Sequence, residues 1–169
     1  MSQIGFRCTN CNLFHKEDIW TLECSECKSP LDIEYLSNLI GRNLPINNFT
    51  NGLSLSEGNT PIVQLHSLDS MLGLKFLYGK LEYLNPTGSF KDRGVAVMLA
   101  IAKENGVSEL VEDSSGNAGA SVAAYAARLG MTAHIFAPSS TPQAKLIQIK
   151  KYGPKLHLID GTRVDTTKS

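Results

Sequence analysis

Lys91 stands in a sequence context in which a lysine amine could react with an aldehyde. It follows a loop pattern in residues 85–90 and precedes a helical pattern in residues 92–105. Ser89 fits the helix N-cap, and Asp92 completes an approximate capping box. The partial positive charge of a helix N-terminus disfavours a second positive charge, as burial does, so the neutral amine that forms Schiff bases is favoured. The other interpretation is a surface lysine whose methylene stem packs on the protein.

A second run, Ser114-Ser115-Gly116-Asn117-Ala118-Gly119, leads from a predicted strand into a predicted helix. Backbone N–H groups at such a junction form an anion site, the serine hydroxyls add donors, and the glycines permit close approach. The run therefore suits a carboxylate or a phosphate. The amide of Asn117 could form a hydrogen bond with a phenolic or carbonyl oxygen. A helix cap that binds no ligand is the alternative.

The cysteines form two Cys-x-x-Cys pairs that are separated by twelve residues: Cys8, Cys11, Cys24 and Cys27. Thiolates at this spacing can bind one ion tetrahedrally, and four protein ligands leave no open position, so the pattern predicts a structural zinc site. The start of the chain has no signal-peptide pattern, which disfavours two disulfides; one redox-active pair is an alternative. Asn12 and Lys28 follow the two pairs, where a positive φ helps, and asparagine tolerates that conformation better than lysine.

The elements that must position these residues alternate regularly beyond residue 74. The sequence predicts strands at residues 75–81, 110–112, 132–137 and 156–159, and helices at residues 92–105, 117–129 and 142–152. This alternation indicates right-handed βαβ units and an open parallel sheet. Ligands bind at the carboxyl ends of strands in such sheets, so the lysine loop (residues 85–94) and the serine loop (residues 114–119) are predicted to lie side by side. A short helix and a linker are predicted for residues 36–51.

The composition limits the kind of protein. The chain has 169 residues, of which 42% are hydrophobic and 19% charged, enough apolar material for a packed core. Sixteen basic residues balance sixteen acidic ones, so net charge gives no indication of a nucleic-acid partner or an anionic membrane surface. No apolar run reaches the roughly 18 residues that cross a bilayer. A cytoplasmic protein is expected.

The two loops together resemble the threonine synthases, a family of fold-type II pyridoxal-phosphate enzymes. The resemblance rests on the string Asn85-Pro86-Thr87-Gly88-Ser89-Phe90-Lys91-Asp92-Arg93-Gly94 and the serine loop, and the cysteine pairs and the run Glu57-Gly58-Asn59-Thr60-Pro61-Ile62 agree with it. It implies an α/β fold like that of the tryptophan synthase β subunit, built on an open parallel sheet and incomplete here. It also implies a zinc ribbon (residues 1–35), a linker and N-terminal segment of the large domain (residues 36–74), and an α/β domain for cofactor and substrate (residues 75–169).

The resemblance further implies a role for each site residue. Lys91 would carry pyridoxal phosphate covalently and then move protons on the substrate carbons. Phe90 would pack near the pyridine ring, and Asn117 would form a hydrogen bond with the ring oxygen. An amino-acid substrate would contact Thr60 and bind its carboxylate at Ser114, Ser115, Gly116, Ala118 and Gly119. The implied reaction converts O-phospho-L-homoserine and water to L-threonine and phosphate.

Members of that family are much longer than this chain, which lacks the later glycine-rich loop that wraps the cofactor phosphate. The chain therefore resembles the N-terminal part of a threonine synthase. A cysteate synthase or a threonine or serine dehydratase of the same fold is a second interpretation, and a non-catalytic zinc-bearing α/β module that binds a partner is a third. Apolar surface that a missing part would cover allows for association into a homo-oligomer.

Overall fold

The structure, a computed structural model, describes residues 4–16, 21–35 and 53–169. The chain divides into two compact units, Met1–Phe49 and Thr50–Ser169. The short helix and linker predicted for residues 36–51 lie outside the described residues. The domain boundaries at residues 35 and 74 stay a prediction. Within the described ranges, no helix has both the length and the apolar character that crossing a membrane requires.

The first unit contains a three-stranded antiparallel sheet in the order β2-β1-β3. Its strands are β1 (Ile4–Cys8), β2 (Phe14–Lys16) and β3 (Leu31–Tyr35). A Cβ atom on Gly5 would lie 2.4 Å from the Phe14 ring, so the missing side chain lets that ring pack over the strand. Cys8 pairs with Leu31, which lies four residues after Cys27, so the sheet brings both cysteine pairs to the same end.

The described residues of the second unit form a parallel sheet, a small antiparallel sheet and five helices. Its strands are β4 (Ile62–Gln64), β5 (Tyr78–Lys80), β6 (Glu109–Glu112), β7 (Thr132–Pro138) and β8 (Lys155–Ile159). Its helices are α1 (His66–Leu72), α2 (Lys91–Glu104), α3 (Asn117–Leu129), α4 (Gln143–Lys151) and α5 (Arg163–Lys168), and a single 3-10 turn occupies Glu82–Leu84. Strands β6, β7 and β8 are parallel and adjacent in that order, with α3 and α4 as crossovers. This arrangement confirms the predicted α/β class with a parallel sheet.

The helix ends agree with the sequence because their signals are local. Helix α3 spans the predicted residues and ends at Gly130, whose φ of 63° gives a left-handed cap. Gly106 and Gly153, which follow α2 and α4, also have positive φ, at 80° and 74°. A glycine adopts this conformation without the steric strain that a Cβ atom would introduce.

One predicted strand is wrong in its length and its partner. Within residues 75–81 only Tyr78–Lys80 is a strand, and it pairs antiparallel with β4 in a separate two-stranded sheet. Helix α1 joins the two strands and ends at Gly73, with φ at 66°, so the chain turns back onto its neighbour in sequence. The lysine loop therefore does not follow a strand of the parallel sheet, contrary to the prediction.

Helix α3 forms the centre of the core of the second unit. It packs against α2, α4 and β7, and its alanine side chains let these neighbours approach closely. The large buried side chains around it come from all three neighbours: Leu99, Ile135, Leu146 and Ile149. Burying each such aliphatic side chain contributes about 1.5–3 kcal/mol, so the core fixes the positions of the two helices that follow the lysine and serine loops.

Candidate functional site

The lysine loop leads directly into α2, and Lys91 is the first residue of that helix. Its backbone N–H donates to Ser89 Oγ at 3.2 Å. The predicted capping box is wrong, because the fully buried Asp92 carboxylate does not bond back to Ser89. It accepts hydrogen bonds from the N–H and the hydroxyl of Thr87 instead, at 2.7 and 2.6 Å. A buried carboxylate needs strong donors, and Thr87 supplies two of them at once.

The side chain of Lys91 is exposed, with Nζ 4.8 Å from the centre of the Phe90 ring. Phe90 is itself 57% exposed, so a ligand could reach both side chains from solvent. The charge of Lys91 also acts on Glu112, the last residue of β6. Burial and Asp113 raise the pKa of Glu112, and the positive charges of Arg163 and Lys91 counteract part of that rise. The charge of Lys91 therefore acts on the strand end from which the chain enters the serine loop.

The serine loop follows β6 and includes the first turn of α3, which begins at Asn117. Asn117 begins the helix, no side chain caps that end, and the first N–H groups of a helix have no acceptor within it. A Cβ atom on Gly119 would lie 1.9 Å from the carbonyl oxygen of Ser114, so the loop passes directly against the helix. The exposed residues of the loop are Gly116 and Asn117, and the half-buried ones are Ser114, Ser115 and Ala118. A small anion could reach its N–H groups.

The buried Thr60 belongs to a partly exposed polar network beside α2. Its hydroxyl donates to Glu82 Oε1 at 3.5 Å. Arg93 of α2 donates to both carboxylate oxygens of Glu82 at 2.8 Å and to the carbonyl of Gly58 at 3.2 Å. These hydrogen bonds from Arg93 lower the pKa of Glu82 to about 2, so the pair is charged at neutral pH. The network holds the segment around Thr60 against the helix that begins with Lys91.

Two further hydrogen bonds join these segments to α3. The hydroxyl of Ser121 donates to Asp92 Oδ1 at 2.6 Å, and the hydroxyl of Tyr125 donates to Glu57 Oε2 at 2.7 Å. The structure thus brings the lysine loop, the serine loop and the residues 57–60 together around α2 and α3. The two loops are neighbours because these helices pack on each other, not because both follow parallel strands.

Sequence reasoning missed the residues that hold the loops in place: Glu57, Glu82, Thr87, Ser121 and Tyr125. A signal for two of them is present on α3, where Ser121 and Tyr125 are polar side chains four residues apart in an alanine-rich run. Side chains at this spacing share a helix face, and a buried face with hydroxyls needs polar partners. Those partners lie 29 and 68 residues away in the sequence, so the pattern alone does not identify them.

The four cysteine sulfurs form a separate cluster in the first unit, where all of them lie within 4.8 Å of one another. The Sγ atoms of Cys8 and Cys27 are 3.4 Å apart, and those of Cys11 and Cys24 are 3.5 Å apart. Sulfurs placed tetrahedrally around a zinc ion at about 2.3 Å are about 3.8 Å from one another. The cluster therefore has the size that one such ion requires.

The two turns that carry the cysteines have the geometry that metal binding needs. Asn12 and Lys28 have φ values of 62° and 59°, and the N–H of each bonds to the carbonyl of the first cysteine of its pair, at 3.2 and 3.0 Å. Hydrogen bonds from the hydroxyl and the N–H of Ser29 lower the pKa of the Cys27 thiol to about 5. This shift favours the thiolate, which is the form that binds a metal ion.

Comparisons with known proteins show which family this chain is similar to. A family model described as "Pyridoxal-phosphate dependent enzyme" matches residues 53–169. The threonine synthase of Bacillus sp. (strain ULM1) is 46% identical over 127 residues, which make up 75% of this chain and 36% of that protein. The threonine synthase of Methanocaldococcus jannaschii is 42% identical over 119 residues, or 70% of this chain and 29% of that protein. The chain thus spans about a third of the length of these curated relatives.

Solved structures show the same fold. Maize serine racemase superposes with a TM-score of 0.60 at 33% identity, over 64% of this chain and 33% of that chain. Isoform 2 of threonine deaminase from Solanum lycopersicum superposes with a TM-score of 0.58 at 29% identity, over 63% of this chain and 30% of that chain. Since the family model covers most of the second unit, including both loops, the chain belongs to the pyridoxal-phosphate dependent enzyme family.

Proposed function

We propose that the chain carries the lysine and the carboxylate-binding loop of a threonine synthase-like enzyme of the cytoplasm. The proposed reaction converts O-phospho-L-homoserine and water to L-threonine and phosphate. The observation that carries the proposal is that Lys91 begins α2 and Asn117 begins α3, two helices that pack on each other and are joined by the hydrogen bond from Ser121 to Asp92. The two relatives named threonine synthase, at 46% and 42% identity, support this substrate.

The residues of the two loops fit pyridoxal phosphate. The exposed amine of Lys91 can meet an aldehyde that arrives from solvent, and Phe90 offers an exposed ring face beside it. Asn117 adds an exposed amide at the start of α3. Glycine at position 119 lets the loop backbone lie against the helix, where a Cβ atom would collide with Ser114. When bound, the cofactor supplies an electron sink for charge that develops on the substrate.

Each proposed role uses the chemistry of the residue in its place. The amine of Lys91 takes protons from the substrate carbons and returns them. The amide of Asn117 orients the cofactor ring. Thr60 contacts the substrate, with Glu82 as the acceptor that orients its hydroxyl. N–H groups and hydroxyls of the serine loop bind the substrate carboxylate: Ser114, Ser115, Gly116, Ala118 and Gly119.

Capture of the cofactor tests the proposal. The protein is incubated with pyridoxal phosphate and reduced with borohydride, and the added mass is located by peptide mass spectrometry. We expect it at Lys91 and expect Lys91→Ala to lose it. The control is Lys103→Ala, an exposed lysine in the last turn of the same helix, which should retain it. Modification spread evenly over surface lysines would contradict the proposal and favour a non-catalytic α/β module.

Product analysis separates the synthase from other enzymes of the same fold. We expect phosphate release from O-phosphohomoserine, with Lys91→Ala as the inactive control. Ammonia release from threonine or serine would instead indicate a dehydratase, an alternative favoured by the structural similarity to the tomato threonine deaminase. Formation of cysteate would indicate a cysteate synthase.

A structural zinc ion is proposed for the ribbon in residues 1–35, bound by Cys8, Cys11, Cys24 and Cys27. The compact sulfur cluster and the left-handed turns at Asn12 and Lys28 support it. We expect about one zinc ion per chain in the purified protein and loss of that ion in Cys24→Ser. Ser25→Ala, an exposed neighbour in the same turn, is the control and should keep the metal. Wild-type protein free of metal would refute the assignment.

Self-association is the remaining part of the proposal. Large apolar side chains are exposed on α1 and just before β5, among them Met71 at 79% and Phe76 at 69%. Light scattering should give a mass above that of one chain, and a monomer at high concentration would contradict this expectation. No nucleic-acid or membrane partner is proposed.

A further inference from the structure

Asp92 is buried immediately after the proposed cofactor lysine, and none of the ion pairs among the described residues includes it. It accepts three hydrogen bonds instead. The N–H and the hydroxyl of Thr87 donate at 2.7 and 2.6 Å, and the hydroxyl of Ser121 donates at 2.6 Å. A buried carboxylate that loses a donor is destabilised, so these three donors hold Asp92 and its backbone in one position.

The two bonds from Thr87 close a ring in the chain, and Lys91 lies inside that ring. The carboxylate of Asp92 bonds back to the residue at the other end of the segment 87–92. The carbonyl of Thr87 accepts a further hydrogen bond from Gln148 Nε2 of α4, at 2.8 Å. The backbone of Lys91 is therefore held at both sides by groups that belong to the core.

Helix α3 supplies the third donor to Asp92, the hydroxyl of Ser121, from the turn that follows Asn117. Ser121 lies one turn after Asn117, and residues four apart share a helix face. The hydrogen bond between Ser121 and Asp92 thus joins the helix of Asn117 directly to the helix of Lys91. Tyr125, one turn further along the same face, bonds to Glu57 and not to the lysine loop.

We propose that Ser121 and Asp92 are positioning residues that hold the loop of Lys91 in a fixed place relative to Asn117. The inference rests on the proposed function, because capture of pyridoxal phosphate requires the amine of Lys91 and the amide of Asn117 to meet one ring. Ser121 and Asp92 have no exposed surface, so a ligand that arrives from solvent would not contact them. They act by placing Lys91 before the ligand arrives, and such preorganisation raises affinity.

Hydrogen exchange tests this placement without any cofactor. Ser121→Ala removes one donor to Asp92, and amide exchange in residues 87–92 should become about tenfold faster, as expected for a lost hydrogen bond to a charged group. Tyr125→Phe is the matched control, since it removes a buried hydroxyl from the same helix face. It should accelerate exchange in residues 54–58 instead. Equal effects of both variants on both segments would overturn the proposal, because the hydroxyls would then stabilise only the core.

Capture of pyridoxal phosphate at Lys91 tests whether this placement of the loop also positions the Lys91 amine. Ser121→Ala should weaken capture about tenfold, and Tyr125→Phe should change it less than about twofold. Similar losses in both variants would refute a specific role for Ser121. Wild-type protein could capture no cofactor at Lys91 while Ser121→Ala still accelerated exchange in residues 87–92 and Tyr125→Phe in residues 54–58. The proposed function would then fail, but the proposed placement of the loop would stand. The two failures are therefore distinguishable.

Discussion

Tyr125→Phe removes one hydroxyl from the core of the second unit and leaves the aromatic ring in place. The hydroxyl donates to Glu57 Oε2 at 2.7 Å, and the residue is fully buried. Burial and the Glu57 carboxylate raise the pKa of the Tyr125 hydroxyl far above its usual range, so it stays protonated and remains a donor at neutral pH. The substitution therefore isolates one hydrogen bond to a charged group and opens no cavity.

The expected loss follows from the other donors to the same carboxylate. A hydrogen bond to a charged group contributes about 1.5–3 kcal/mol to the free energy of unfolding. Glu57 keeps two donors in the variant, Ser54 Oγ and the N–H of Leu55, each at 2.9 Å. The loss in the free energy of unfolding should therefore lie at the lower end of this range, at about 1.5 kcal/mol. Such a loss lowers the midpoint of thermal unfolding by roughly 5 °C for a unit of this size.

Urea unfolding followed by far-UV circular dichroism measures this loss. All helices of the described residues lie in Thr50–Ser169, so the helical signal reports the unfolding of that unit. Tyr78→Phe is the control, because Tyr78 is 57% exposed, and it should stay within about 0.5 kcal/mol of wild type. An equally small effect of Tyr125→Phe, with an unchanged denaturant slope, would refute the reasoning, since the bond to Glu57 would then contribute nothing measurable.

Three further predictions concern other parts of the chain. The pKa of Glu82 falls from 4.5 to about 2 on folding. The stabilisation that the Glu82 carboxylate contributes is therefore complete above about pH 4.5 and is lost as the pH falls towards 2. Over that range the urea midpoint should drop more steeply in wild type than in Glu82→Gln. Lys28→Gly removes the steric strain of a side chain at a left-handed φ of 59°, so it should stabilise the ribbon by about 0.5–1 kcal/mol. Amide exchange in the ribbon should then be slower, and faster exchange would contradict the prediction. Gly119→Ala should destabilise the second unit by about 3 kcal/mol or more in urea, because the added Cβ would lie 1.9 Å from the carbonyl oxygen of Ser114. Gly94→Ala is the control: its added Cβ would have no atom within 4 Å, so it should stabilise α2 by about 0.5–1 kcal/mol.

Features with local signals could be predicted from the sequence. Gly130 marks the end of α3 because the αL cap requires only the residue itself and the preceding turn. The positive φ at Asn12 and Lys28 follows in the same way from the spacing of the adjacent cysteines. The start of α2 is also predicted from neighbouring residues to within one position, at residue 92 where the helix begins at Lys91.

Features that depend on distant partners could not be predicted. The segment 75–81 has a strand pattern, but its partner and its length depend on how α1 returns the chain to β4. Asp92 fits a capping box with Ser89, yet its burial makes the donors of Thr87 and Ser121 more favourable. The bond between Tyr125 and Glu57 joins residues 68 positions apart, so only the packed helices bring them together.

The close pass at Gly119 affects how fast a ligand can bind. Since the carbonyl of Ser114 fills the volume that a side chain would occupy, we expect the serine loop and the first turn of α3 to move together. An anion that enters therefore meets N–H groups that are already oriented, and no slow rearrangement precedes the final complex. Stopped-flow association should show a single phase whose rate rises linearly with ligand concentration.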